Sequence, residues 1–268
     1  MRNNKKGFTI IELLVAVFMG IVLTAAAMSL YLTQHKQLLV QESIADTQSS
    51  LRAATAELAS NIRLAGYKVP EVCTPIVASN TNPDTITIAY DAGLTGEIQI
   101  EHDMPLPSAE LRCDGHDLTG LYDNDLLYIY DPVAKIGEFF LATQIQYSSS
   151  HIQHNTMTLS RRYPAGSKIL KIHQAKYYID SSHPDHPNFM IKSDGGAPQI
   201  YAENITNLNL QYLLSSREVV DVPTISNMIR EVIIRVDART DSPDSEFLNG
   251  YRTRALTTRV NVRNLAIN

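Results

Sequence analysis

One apolar stretch, running from Lys5 to Leu32 (KKGFTIIELLVAVFMGIVLTAAAMSLYL), constrains this chain more than any other feature. A run of this length is long enough to cross a bilayer as a helix. Arg2, Lys5 and Lys6 stand ahead of its apolar part, which sets that end on the cytoplasmic side. Within the apolar part the one charged residue is Glu12. A carboxylate inside a spanning helix costs about 2.5–3.5 kcal/mol on insertion scales, so Glu12 calls for a partner and implies a role. The chain then turns polar with no helix breaker, since no Pro precedes Pro70 and no Gly lies between Gly20 and Gly66. Leu51, Ala54, Leu58, Ile62 and Ala65 advance by threes and fours and make one apolar stripe. Gln41, Glu42, Asp46, Gln48, Arg52, Glu57 and Asn61 fall largely off it. Gly66 supplies a left-handed cap and Pro70 prevents resumption. A helix from Phe8 to Ala65 would be about 85 Å long at 1.5 Å per residue.

Beyond Pro70 the sequence changes to short alternating or apolar runs: Thr85–Tyr90, Leu126–Tyr130, Glu138–Gln146, Thr156–Leu159, Ala175–Ile179, Phe189–Lys192, Ile205–Tyr212, Met228–Val236 and Ala255–Val262. Turn residues such as Asn82-Pro83-Asp84, Asp131-Pro132, His183-Pro184 and Asp194-Gly195-Gly196 separate them. The fold class expected is α+β: a long N-terminal helix, transmembrane in its first half, packed on a large, mainly antiparallel β-sheet head. The divisions are a leader over 1–7, a membrane half of the helix over 8–32, an amphipathic half over 33–66 and a head over 67–268. A hydrophobic fraction of 44% and a charged fraction of 19% are those of a folded protein. The formal charge of −5 argues against nonspecific nucleic-acid binding, which rests on neutralising phosphates.

Cys73 and Cys113 both lie downstream of the membrane segment, hence in an oxidising compartment. A Cys73–Cys113 disulfide is therefore expected, with two buried free thiols as the alternative. Neither cysteine belongs to a CxxC pair, so metal binding is not expected.

The segment Lys6-Gly7-Phe8-Thr9-Ile10-Ile11-Glu12-Leu13-Leu14-Val15 resembles the leader of type IV prepilins. The resemblance implies a prepilin peptidase that cuts after Gly7 and methylates the new amine on Phe8, one helical turn from Glu12. Asn61-Ile62-Arg63-Leu64-Ala65-Gly66-Tyr67 is similar to the Arg-x-Ala-Gly-Tyr signature that closes the long helix of PilW-type minor pilins. The order of the late segments Ile205–Tyr212, Ile229–Val236 and Thr258–Asn264 resembles them too. Such a relationship implies a type IV pilin-like fold without enzymatic activity or cofactor. It implies as partners the peptidase, the inner-membrane assembly machinery, the major pilin, other minor pilins in a priming or tip complex, and a tip adhesin. Glu12 would be the assembly charge. No helix-breaking Pro stands near Ser29, a departure from major pilins that suits a minor subunit.

Other readings remain at this stage. Ala25-Ala26-Ala27 offers a secretory cleavage site, although the apolar region ahead of it would contain an acid and run past the usual 7–15 residues. A type II secretion pseudopilin of the GspJ type shares the leader. A membrane-tethered periplasmic binding domain or enzyme would need a polar pocket. His183-Pro184-Asp185-His186 reads as a rigid turn rather than a metal site. Asp123-Asn124-Asp125 lacks the Gly and distal Glu of a calcium loop, and Ala165-Gly166-Ser167-Lys168 lacks the upstream glycine of a phosphate loop.

Overall fold

The structure is a computed structural model that describes residues 9–93, 97–244 and 250–265. A single helix, α1, spans Ile10–Leu64 and is about 82 Å long. Two strands follow, β1 (Ile76–Ser79) and β2 (Thr85–Asp91). Seven short strands come next: β3 (Ile98–Gln99), β4 (Leu111–Arg112), β5 (Leu126–Asp131), β6 (Ile136–Leu141), β7 (Gln144–Gln146), β8 (His151–Gln153) and β9 (Lys168–Leu170). The chain then forms β10 (Ile172–Asp180), β11 (Asn188–Ser193) and β12 (Gln199–Glu203). It closes with β13 (Ile205–Leu214), β14 (Val219–Val220), β15 (Ile229–Arg239) and β16 (Thr253–Asn261).

Every strand pair is antiparallel. One sheet has the order β1-β2-β10-β11-β12 and a second the order β14-β13-β15-β16. Alternation in the sequence explains the second sheet: Val232, Ile234, Val236 and Ala238 of β15 face inward with Leu208, Leu210 and Tyr212 of β13. Both inner faces share one core with the helix stripe, where Leu51, Ala54, Leu58, Ile62 and Ala65 are all buried. Each fully buried Leu or Ile contributes about 1.5–3 kcal/mol. Asp84 joins the sheets, because its backbone N–H donates to Leu208 O (2.9 Å) and its carboxylate accepts from Leu210 N–H (2.6 Å).

Strands β2 and β10 pair directly, Ile86 opposite Tyr177, yet residues 92–171 lie between them. That insertion forms two further sheets, β3-β9-β5-β6 and β4-β8-β7, around a core of its own that includes Ile100, Leu111, Leu127, Phe140 and Ile152. A small seam of Cys73, Ala89, Tyr128 and Ile172 joins it to the first sheet.

Several local expectations change. The stretch expected as one strand over Glu138–Gln146 is two, β6 and β7, because Ala142 N–H donates to Asp125 O and Thr143 N–H to Gln153 O. Thr156–Leu159 is not a strand: Met157 N–H turns back onto His154 O, and the pairing falls earlier, at β8. Asn61, placed off the buried stripe by periodicity, is buried. Its amide donates to Glu57 Oε1 (2.8 Å) and its oxygen accepts from Tyr90 OH (3.1 Å), while Tyr177 OH donates to Glu57 Oε1 (3.2 Å). Burial and the nearby Glu57 charge push the Tyr177 phenol up, which keeps it a donor. A polar seam thus runs beside the apolar one.

The helix stops where the sequence indicates. Gly66 has φ +78°, and a Cβ there would fall 2.5 Å from Leu265 Cδ2. From the far end of the chain, the Asn264 side-chain amide donates to the carbonyls of Arg63 (3.1 Å), Leu64 (3.3 Å) and Ala65 (3.4 Å). These oxygens lack partners within the helix. Asn264→Ala is therefore expected to lower head stability by about 1–2 kcal/mol. Asn264→Asp should cost more, because it sets an anion at the negative end of the helix. Urea unfolding of the full chain in detergent measures both; an unchanged midpoint for Asn264→Asp would contradict the capping role.

Candidate functional site: a bare apolar helix with one acid

The head covers only the second half of α1. Burial begins at Thr47, whereas the residues from Ile10 to Leu39 are exposed, with Phe18 65% and Leu23 70% exposed. An 18-residue window of this stretch has mean hydropathy 2.5, and none of it is buried within the chain. Soluble monomers rarely expose an apolar patch larger than a few hundred Å². This half of the helix is built for lipid or for other apolar helices.

Glu12 sits in its first turn. Thr9 is the N-cap: its Oγ1 accepts from Glu12 N–H (3.3 Å), while its own N–H (2.8 Å) and hydroxyl (2.9 Å) donate to Glu12 Oε2. This is a capping box, in which the acid satisfies the donors that the helix leaves open. Both bonds to the carboxylate use Oε2, so Oε1 has no bond to the described residues. The sequence reading centred on Gly7, Phe8 and Glu12 and did not single out Thr9; the Thr-x-x-Glu spacing is the signal that finds it. Gly7 and Phe8 themselves lie outside the described residues.

Residues 2–28 match the prokaryotic N-terminal methylation motif. The motif spans Gly7, Phe8, Thr9 and Glu12, so the capping box lies inside it. No curated protein sequence matches the chain. Among solved structures the chain is similar to the type IV-like pilin TTHA1219 from Thermus thermophilus, with a TM-score of 0.40 and 10% identity over 82% of this chain and 98% of that one.

The remaining sequence candidates are used internally. The expected Cys73–Cys113 disulfide is not formed in this structure: both residues are free thiols, buried in different apolar clusters. Burial pushes each thiol up to about 12, which keeps it protonated and unreactive. Asp123 accepts from Ile145 N–H (2.7 Å), and Asp125 accepts from Tyr122 N–H (2.8 Å) and Lys171 Nζ (2.6 Å), so these acids shape turns. In the His183–His186 turn, His186 N–H donates to His183 O, and Arg239 donates to Pro184 O (2.7 Å). Lys168 pairs with Glu97, and Ser167 is buried on Pro164 O. Among the described residues no three His, Cys, Asp or Glu side chains are arranged to hold a metal ion.

Thr9→Val keeps the shape of the side chain and removes its bonds to Glu12. The lost cap is worth about 1 kcal/mol, or roughly fivefold faster amide exchange in the first turn. The melting of the distant head should not change. Hydrogen exchange on the full chain in micelles measures this, and unaltered exchange at the Glu12 amide, the one bonded to Thr9 Oγ1, would show that the box does not hold the helix end.

Proposed function

We propose that this chain is a PilW-type minor pilin. In this reading it waits in the inner membrane on residues 8–32, is cut between Gly7 and Phe8 and methylated by a prepilin peptidase, and enters a type IV pilus through α1. It joins other minor pilins in a priming complex at the fibre tip, above the major pilin and beneath an adhesin, by way of the inner-membrane assembly machinery. The observation that carries this reading is the methylation motif at the start of a helix half that its own head leaves bare. A rod with that surface is solvated equally well by lipid tails and by a bundle of similar helices, so passage from bilayer to fibre costs little.

Register then needs a polar handle, and Glu12 supplies it. In this reading the amine that cleavage creates at Phe8, or that of a neighbouring subunit, pairs with the Glu12 carboxylate. Their attraction in a low-dielectric surrounding is several-fold stronger than in water. The fold of the head does not depend on this residue, which is far from the core.

Glu12→Leu should leave the precursor abundant, cleaved and N-methylated at Phe8, with a folded head. Recruitment to partner pilins, read by crosslinking in cells, should fall several-fold, and fewer surface pili should form. Wild-type crosslinking and pilus counts for Glu12→Leu would refute the role of Glu12. A mature protein starting near Met28 by mass spectrometry would refute the pilin reading itself.

A further inference from the structure

The outer strand of the second sheet ends that sheet with an open edge. β16 pairs with β15 without a register shift from Arg239↔Thr253 to Glu231↔Asn261. Thr240 N–H donates to Arg252 O (2.9 Å) just before this ladder, and Val262 N–H donates to Arg230 O (3.0 Å) just after it. These two bonds fix its phase, because in an antiparallel pair a residue that bonds across does so with both N–H and C=O, and the next residue turns both away. Residues 254, 256, 258 and 260 therefore bond to β15, whereas Ala255, Thr257, Arg259 and Asn261 direct their N–H and C=O outward. The carbonyl of Thr253 points outward too and accepts from the side chain of Arg254 (3.3 Å). Among the described residues the outward backbone groups of the other four have no hydrogen-bond partner, and all four residues are exposed.

Such an edge is a template for another strand, and proteins usually blunt it by shortness, bulges or proline. The other three edges of the two main sheets are blunted. β14 is two residues long, β1 is four, and β12 is five with a register shift against β11 between Phe189 and Met190. β16 has nine residues, about 30 Å at 3.3 Å each, and contains neither proline nor glycine. Its inner face lies on α1, with Val260 buried and Leu256 half-buried at the margin of the core. The template is thus preformed. Strand addition draws affinity from main-chain hydrogen bonds and specificity from alternate side chains.

Charge selects the strand that fits. Residues 250–265 carry four arginines and no acid, in a chain of net charge −5. Arg252 is held by Asp244 (2.7 Å), and Arg259 meets Glu231 at 3.3 Å while remaining 67% exposed. Arg254 and Arg263, near the two ends of the strand, are exposed. A second copy of β16 would bring its own arginines beside these, and like charges across a strand pair are destabilising. An acidic strand is attracted instead, and an apolar side chain on its inner face would extend the cover over Leu256.

We propose that the open edge of β16 receives an extended segment of another protein, acidic overall and apolar at alternate positions, as a fifth strand of the sheet β14-β13-β15-β16. The added strand lies along the packed half of α1. This docking does not depend on how the bare half of that helix is used.

A short synthetic peptide that alternates glutamate and valine is the probe, with a lysine–valine peptide as control, each titrated into the full chain in micelles. The acidic peptide should slow amide exchange at Ala255, Thr257, Arg259 and Asn261, and should bind at least about tenfold more tightly than the basic one. Thr257→Pro removes an N–H that faces away from β15, so the melting of the head should hold while binding falls about tenfold or more. Arg254→Glu combined with Arg263→Glu leaves the backbone untouched and should reverse the preference between the peptides. Unchanged exchange at the four amides, equal affinity for the two peptides, or a preference that survives the double charge reversal overturns the proposal. Protection of the same amides that grows with protein concentration alone would assign the edge to a second copy and overturn it as well.

Discussion

The contact on which the head depends is the wedge of α1 against the inner faces of two sheets, from Leu51 to Ala65. It reconciles two demands on a single helix. The upper half must be fixed so that the head has a defined direction, and the lower half must stay bare so that it can live in an apolar phase. A change of character near Thr47 separates the two without a break in the backbone, because no proline or glycine interrupts the helix between Gly20 and Gly66. Rigidity across that point lets whatever grips the lower half carry the head with it.

The wedge is held by more than apolar area. Hydrophobic packing alone tolerates sliding along a helix, whereas the bonds of Asn61 and Glu57 to Tyr90 and Tyr177 fix one register. Asn264 adds a third constraint by drawing the last residues of the chain onto the last turn of the helix. The first and last elements of the chain therefore close on each other. The inserted module, hung between β2 and β10 around its own core, can vary without disturbing this closure.

Much of this was legible in the sequence where one residue's neighbours are its sequence neighbours. The stripe on α1, its stop at Gly66 and the alternation of β13 and β15 are local patterns, and each falls within a few residues of expectation. The insertion was not legible, because strands of two or three residues such as β3, β4 and β8 are set by distant partners rather than by their own pattern. The cysteines show the same limit: the compartment argues for oxidation, but only packing decides proximity, and packing sends Cys73 to a seam and Cys113 to a core. At the other end of the molecule, Glu12 reads in the sequence as a lone charge, whereas in the fold it is half of a cap whose other half is Thr9.

The central claim is that α1 serves two media, an apolar phase over its bare first half up to Leu32 and the protein's own head from Thr47 onward. Spin labels placed singly at Phe18, Leu23 and Leu58 in the full chain, reconstituted in nanodiscs, test this most directly through their collision rates with oxygen and with a water-soluble nickel reagent. The account predicts that Phe18 and Leu23 are open to oxygen and closed to nickel, while Leu58 is shielded from both. Nickel access at Phe18 and Leu23 equal to that of a solvent-exposed loop would contradict it.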